Sequence, residues 1–490
     1  MAVGIHAFGG YLPRRRLSRQ IVVEANAWFA PALKGLGRGE RAIANWDEDP
    51  VTMAVEACRD ALGLLDRSTL GALWLASTTL PFEDRQNAGI VAEALGLDST
   101  VRTLDIAGSQ RAGTSALLTA IDAVAGGAGP VLVTAAEKRR TRVASPLELT
   151  SGDGAAAILV GEGDGGAVVL GAATETADFV DHYRGQHQDF DYVWEERWIR
   201  DEGYQKLVPV AVERALAAAG VGAADIQHFC FPTSTTRVAA ALARRLGLSD
   251  GSVRDNLQVS CGETGVAHPL VMLVHVLQEA DEGDLILVTG FGQGGDAVVL
   301  RVGAGLADRQ PVRGIEGSLA AGVSDTNYQR YLAINDLITI ERGLRAEVDK
   351  QTGLTTLYRN RAMLLGFIGG RCRACGTPQY PASGACVNPD CGATGPQDRY
   401  PFADRSAQLN SYTSDRLTYS PDPPAYYGMV QFEGGGRAMI DFTDVDPGAT
   451  LEVGVPMRMV FRVKDYDPMR GFRRYFWKAM PVLPSAPAEE

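Results

Sequence analysis

No run of apolar residues in this sequence approaches the roughly 20 that span a bilayer. The start, MAVGIHAFGGYLPRRRLSRQ, lacks the continuous apolar core of a secretory signal, and its arginines follow an expected strand. No membrane partner is expected, and the cytoplasm is the expected compartment. Positive charge is in deficit: 47 Lys and Arg face 59 Asp and Glu, a formal net charge of -12. Sequence-independent binding of nucleic acid rests on clustered cations that neutralise phosphates, so no nucleic-acid partner is expected. Cysteine is scarce and uneven. Of seven, Cys58, Cys230 and Cys261 are scattered among apolar neighbours, whereas Cys372, Cys375, Cys386 and Cys391 crowd into 20 residues. A disulfide framework would be spread more widely and would suit a secreted chain.

What is present suffices for a large core. The chain has 490 residues, 46% hydrophobic and 22% charged, enough for two or three domains. Two long segments echo each other. In the first, LDIAGSQRAGTSALLTAIDAVAGG reads as strand, tight turn and helix, followed by GGAGPVLVTAAE and GDGAAAILVGEG. In the second, SCGETGVAHPLVMLVHVLQEA leads to DEGDLILVTGFG and GGDAVVLRVGAG. The strands are continuous apolar runs, as in sheets covered on both faces, and helices such as VTMAVEACRDALGLL and VPVAVERALAAAG alternate with them. The expectation for residues 1–304 is a duplicated α/β domain of two similar halves. A strand turning into a helix is also a place to stabilise developing negative charge.

Composition shifts after Gly305. Residues 305–365 are expected to form a linker and helical docking segment carrying NYQRYLAINDLITIERGLRAEVDK. Residues 366–398 hold C-x2-C, a ten-residue spacer and C-x4-C, a pattern in which paired thiolates on two turns close a tetrahedron around zinc. Four thiolates leave no open coordination position, so the expected ion, ligated by Cys372, Cys375, Cys386 and Cys391, is structural. Such a site can supply on the order of 10 kcal/mol to a small domain. Four free thiols in a loop are the alternative. Residues 399–483, with YYGMVQFEGGGRAMIDFTDV and MRMVFRVKDYD, are expected to fold as a small antiparallel barrel, and 484–490 as a disordered tail.

AGSQRAGTSAL and GETGVAHPL, in a duplicated α/β frame with AAEKRR and SGDGAAAILVG, resemble the thiolase superfamily, nearest its 3-hydroxy-3-methylglutaryl-CoA synthase and ketoacyl-ACP synthase III branch. The C-terminal third resembles the acyl-CoA-associated zinc-ribbon/OB-fold proteins that accompany such enzymes. The resemblance implies a duplicated thiolase-like fold plus zinc ribbon and OB-fold, a coenzyme A thioester as substrate, and a homodimer built on a shared sheet edge. It leaves open a partner enzyme subunit. It also exposes departures. The synthase motif A-C-K-A-G-T falls on Ser109-Gln110-Arg111-Ala112-Gly113-Thr114, so Gln110 stands at the nucleophilic cysteine's position. Pro232 stands at the catalytic histidine's position, Glu263 replaces the asparagine of G-N-T, and Thr78 falls at the acid/base glutamate.

Gln110 cannot form a thioester. Its amide can donate where an enolate oxygen develops, worth roughly 3–4 kcal/mol for a neutral donor; the alternative is a glutamine satisfying a helix end in an inert site. Glu263 lies in the matching turn of the second half, where pseudo-twofold symmetry would bring it near Gln110 as general acid or base; the alternative is an exposed turn carboxylate. His268 is expected at the same pocket, and His275, amid Val and Leu, in the core. Cys261 is either a displaced nucleophile or a buried thiol, and the apparent strand NLQVSC before it favours the latter. In FVDHYRGQHQDFDYVWEERW, the resemblance implies an acyl-pocket wall, with His182, Tyr183, Arg184 and His187, together with Thr78, as substrate contacts; a solvated insert is the alternative. EKRRTR, Glu137 to Arg142, is either a site for CoA phosphates or a solvated face. The leading expectation is an acyl-CoA enzyme that makes or breaks a C–C bond by aldol or retro-aldol chemistry without an acyl-cysteine. The alternatives are acyl transfer or retro-Claisen cleavage with an unorthodox nucleophile, and a non-catalytic acyl-CoA-binding scaffold.

Overall fold

The computed structural model describes residues 2–235, 237–351, 353–446 and 451–482. Contact density divides the chain into two units. One comprises Met1–Asn45, Asp49–Ala92 and Leu97–Leu337; the other comprises Ile338–Glu490 with the short pieces Trp46–Glu48 and Glu93–Gly96. Among the described residues, no helix is long and apolar enough to cross a membrane.

The first unit is organised by a nine-stranded sheet. Its first five strands are β1 (Val3–Tyr11), β2 (Ala72–Ala76), β3 (Arg102–Ile106), β4 (Val131–Glu137) and β5 (Gly154–Glu162). Next comes β6 (Ala167–Thr176), then a separate hairpin of β7 (His182–Tyr183) and β8 (Tyr192–Val193). The sheet is completed by β9 (His228–Cys230), β10 (Leu285–Phe291) and β11 (Gly294–Val302). Its spatial order is β9-β10-β11-β6-β1-β5-β4-β2-β3. The duplication is legible in this order. Outward from the β1–β6 junction, one half runs β1-β5-β4-β2 and the other β6-β11-β10-β9, each with two antiparallel pairings followed by a parallel one. The first half adds a further edge strand, β3, parallel to β2, where the second half has a single parallel bridge, Val253 with Phe229.

Helices repeat in step: α1 (Pro50–Leu62) and α2 (Ala112–Ala125) in the first half, α3 (Leu207–Ala219) and α4 (His268–Glu279) in the second. α1 starts on a capping box, in which the Asp49 carboxylate accepts from Thr52 N–H, with Pro50 at the first helical position. α2 and α4 lie in one buried cluster, with the small residues Ala112, Ala116 and Ala120 of α2 beside Leu270, Leu273 and Val274 of α4. Close helix packing follows from those small side chains.

Two expectations are corrected here. NLQVSC is not a strand: Ser260 and Cys261 N–H both donate to Leu257 C=O, at 3.2 and 3.0 Å, folding 258–261 into a turn. Residues 305–337 are not a linker but part of the first unit. Val323–Asp325 pairs in parallel with Arg15–Leu17, and the helix Tyr328–Ile334 inserts Tyr331, 2% exposed. Only that short helix and a 3-10 turn, Leu344–Ala346, form within the stretch read as helical.

The second unit holds two small β structures. β12 (Ile368–Arg371), β13 (Pro378–Gln379) and β14 (Asp398–Pro401) make a three-stranded ribbon. β15 (Ala407–Asp415), β16 (Ala425–Phe432), β17 (Arg437–Asp441), β18 (Pro456–Asp467) and β19 (Phe472–Pro481) make an antiparallel five-stranded sheet, ordered β17-β16-β15-β18-β19. A bridge between Phe442 and Ala479 ties the two edges together, closing a barrel around Phe432, Phe461 and Trp477. The tail 484–490 lies outside the described residues.

Candidate active site

The turn from β3 into α2 carries Ser109 and Gln110 and is held from two sides. Ser109 Oγ donates to Gly292 C=O at 2.8 Å. Gly292 comes so close that a Cβ there would sit 2.9 Å from the backbone nitrogens of both Gln110 and Arg111, so only glycine fits. Arg111 pairs with buried Asp296 at 2.9 Å, and the hydroxyls of Thr114, Ser115 and Thr174 donate to the same carboxylate. The first-half turn is therefore rigid at its base.

Its outward group meets the β7–β8 hairpin. Gln110 Nε2 lies 3.0 Å from His182 Nε2, and His182 Nδ1 lies 2.8 Å from Asp181 Oδ2. The carboxylate can only accept, so Nδ1–H donates to it, and the lone pair of Nε2 accepts from the Gln110 amide. The result is an Asp181–His182–Gln110 chain. A cavity of about 650 Å³ lies on one side of it, lined by Glu263, Tyr204, Trp194, Phe291 and Pro232 among others. A second cavity of about 300 Å³ lies on the other, lined by Thr78, Ser109, Arg184 and Gln293 among others. Gln110, His182 and Asp181 line both. The larger volume is in the range of sites for small organic ligands.

Glu263 does face the larger cavity, as symmetry with Gln110 implies. Its backbone is fixed by Glu263 N–H to Thr150 C=O and Gly152 N–H to Glu263 C=O, both at 2.8 Å. Tyr204 lines the same wall; burial, then the nearby Asp181 and Glu263 charges, push its phenol above the ordinary range. Thr78 lies on the smaller cavity, where its hydroxyl donates to buried Glu137 at 3.0 Å and accepts from Arg139 at 3.0 Å. Tyr183 and Arg184 line that cavity too, Tyr183 half exposed against Tyr192.

Two expected residues are not brought to the site. His268 is fully buried: Nδ1 accepts from Thr264 N–H at 3.0 Å and Nε2–H donates to Asn256 C=O at 2.8 Å. Desolvation lowers its pKa, and it lines neither cavity. His187 sits in the exposed turn of the hairpin with φ of 64° and lines neither cavity. His275 is partly exposed, 3.8 Å from Glu279, rather than in the core. EKRRTR is not a simple solvated face, since Glu137 and Arg139 are buried. Arg140 and Arg142 line the larger cavity, each over the Phe190 ring at 5.4 Å. Cys58, Cys230 and Cys261 are buried, and burial pushes each thiol up to about 12. Among the described residues, no cysteine lines either cavity. The residues missed by sequence are Asp181, Asp191 and Tyr204; an acid directly before His182 was the one available signal.

In the second unit the four clustered cysteine sulfurs lie within 4.8 Å of one another, with Cys372–Cys391 at 3.9 Å and Cys375–Cys386 at 3.6 Å. Sulfurs about 2.3 Å from one tetrahedral ion stand about 3.8 Å apart, so the set fits Zn²⁺. Gly376 and Gly392, with φ of 77° and 60°, follow the second and fourth cysteines and make the tight knuckle turns.

A duplicated sheet with a strand–turn–helix site leading into the buried helix α2 defines a thiolase-like protein. Residues 216–302 match 3-oxoacyl-[acyl-carrier-protein] synthase III C-terminal domains, 360–397 the rubredoxin-like zinc ribbon domain of ChsH2, and 402–462 the C-terminal OB-fold domain of ChsH2. The hydroxymethylglutaryl-CoA synthase of Methanocella arvoryzae is 30% identical over 300 residues, covering 60% of this chain and 86% of the relative. That of Aeropyrum pernix is 29% identical over 318 residues, covering 64% and 88%. Two solved structures share the fold. MvaS in complex with 3-hydroxy-3-methylglutaryl coenzyme A has a TM-score of 0.60 at 20% identity, covering 68% of this chain and 91% of that one. 3-Oxoacyl-(acyl carrier protein) synthase III of Pseudomonas aeruginosa has a TM-score of 0.56 at 22% identity, covering 62% and 99%. The chain belongs to the hydroxymethylglutaryl-CoA synthase family of thiolase-like proteins, extended by a ChsH2-type zinc ribbon and OB-fold.

Proposed function

We propose that this protein acts on acyl-CoA thioesters and makes or breaks a C–C bond next to the thioester by aldol or retro-aldol chemistry, without an acyl-cysteine. The observation that carries the reading is the Asp181–His182–Gln110 chain at the meeting of two cavities. In the cleavage direction, the β-hydroxyl displaces the Gln110 N–H from the single lone pair of His182 Nε2, and that lone pair takes the hydroxyl proton. The Cα–Cβ bond breaks, the oxygen's electrons form the new carbonyl, and the pair from the broken bond enters the thioester as an enolate. The Gln110 side-chain amide stabilises that oxygen. The imidazolium, or Glu263 across the cavity, returns a proton to Cα, giving a carbonyl compound and a shorter acyl-CoA. Arg140 and Arg142 at the larger cavity offer guanidiniums to the CoA phosphates.

Acyl transfer through Cys261 is disfavoured by its burial and raised pKa, which hold the thiol protonated. The test is a panel of β-hydroxyacyl- and β-ketoacyl-CoA esters with products read by mass spectrometry. A shortened acyl-CoA plus a carbonyl compound, with no acyl group left on the protein, is the expected result. An acyl adduct on Cys261, or binding of CoA esters with no turnover of any, overturns the reading.

A further inference from the structure

His182 sits on a hairpin rather than on the sheet, so something must hold that hairpin in place. β7 and β8 pair through only two rungs, Tyr183 with Tyr192 and His182 with Val193. The hairpin walls both cavities: Val193 and Trp194 face the larger, Tyr183 and Arg184 the smaller. A small displacement would move the His182 ring away from Gln110 and reshape both chambers together.

One buried carboxylate ties it to the wall, beside the more exposed Arg140–Asp189 pair at 3.1 Å and the Phe190 ring under Arg140 and Arg142. Asp191, whose side chain is 3% exposed, gives one oxygen to Arg139 and the other to Arg184, the latter at 3.2 Å. Arg139 belongs to the wall just past β4, where its other nitrogen reaches Thr78 Oγ1 at 3.0 Å and Glu137 at 3.6 Å. Arg184 follows His182 by two residues and donates to Thr78 C=O. Two guanidiniums this close repel, and Arg139 contributes to lowering the pKa of Arg184 after burial itself. Asp191 and Glu137 together supply the negative charge that lets both remain.

Resting on the function proposed above, we infer that Asp191 is the positioning residue for the reaction: by bridging Arg139 and Arg184 it fixes the hairpin so that His182 stands between the two cavities. Asp191 lines both cavities, and in this role it acts through the two arginines rather than on the reacting atoms. The charged and titratable groups around His182 are Asp181, Arg139 and Asp191, which line both cavities, Glu263, Glu196, Tyr204, Arg140 and Arg142 on the larger, and Arg184 and Tyr183 on the smaller.

The experiment compares wild type with Asp191→Asn and Arg184→Met, the second removing only the more exposed arm. Carbethoxylation of His182 by diethylpyrocarbonate is followed across pH by peptide mass spectrometry, alongside kcat and KM on whichever CoA ester the wild type turns over. The expected result in both variants is a shifted rate and pH profile of His182 modification, with kcat down about 100-fold and KM little changed. Asp191→Glu, which keeps the charge, should recover part of kcat. His182 reactivity identical to wild type at every pH in Arg184→Met, and in Asp191→Asn if it folds, overturns the inference. The modification readout needs no substrate. If no CoA ester is turned over, the proposed function fails while the clamp is still judged.

Discussion

In the first half of the sheet, β3 hands the chain to α2 through a turn that presents Gln110 to solvent-accessible space. In the second half the corresponding edge is reduced to a single parallel bridge, Val253 with Phe229, and the chain enters α4 through the turn at 258–261 and the 3-10 turn Gly265–Ala267. That loop folds back onto Thr150 and Gly152, and the first helical residue, His268, is pinned between Thr264 and Asn256. Both helix starts reach the larger cavity, the first through the Gln110 amide and the second through Glu263, Gly265 and Pro269, but only the second gives its histidine, His268, to packing. Duplication repeated the path of the backbone, while the chemistry at each helix start followed what packed over it. The imidazole at the cavity comes instead from the inserted hairpin.

If the halves differ as described, substitutions should rank accordingly. His182→Ala should have the largest effect, lowering kcat about 100- to 10,000-fold, the range for loss of a positioned proton-transfer group. Glu263→Gln should come next, because Glu263 faces the same cavity without touching Gln110. A larger loss for Glu263→Gln than for His182→Ala would invert the comparison and place the base in the second half. Gln110→Ala should cost about 100-fold in kcat with KM nearly unchanged, since its donor matters most as charge develops on the enolate. Steady-state kinetics on the same ester checks all three. Full activity of Gln110→Ala and Glu263→Gln would remove both from the site.

The sequence exposed the fold through features that repeat or count: the buried LVT strands, the Gly-Asp-Ala strands after them, and the cysteine spacing. Gln110, Glu263 and Thr78 were reachable because each sits at a fixed place in a repeated unit. The rest depended on contacts that spacing does not encode. Gln110 and His182 are 72 residues apart, and Arg139 and Asp191 are 52 apart, joined across an insert without apolar periodicity. His268 misled because its position at a helix start does not tell which neighbour covers it. NLQVSC has a strand's composition, but it turns where Leu257 C=O collects two N–H donors. Residues 305–337 look polar and linker-like until Tyr331 is seen beneath Arg41 at 5.3 Å.

The smallest expected effect on turnover, and the sharpest on stability, belongs to His268→Gln. In wild type the folded-state pKa of His268 is lowered by desolvation, partly offset by the Glu263 charge and the Asn256 carbonyl. The unfolded chain, with a pKa near 6.5, then binds a proton that the native state refuses. Stability from this residue is complete above about pH 6.5 and is lost as pH falls from there toward the lowered folded value, at up to about 1.4 kcal/mol per unit. Glutamine loses part of the buried hydrogen bonding, costing roughly 1–3 kcal/mol at neutral pH, but has no proton to take up. The gap between wild type and variant should therefore narrow below pH 6.5, with kcat of the folded variant within a few-fold of wild type. His6, also lowered by burial and by Arg309, adds acid sensitivity of the same sign in both proteins and cancels in the difference. Urea unfolding of the two proteins from pH 7.5 to 5 measures this. A gap that stays constant would show that His268 is not held neutral, and a kcat loss approaching that of His182→Ala would return it to the reaction.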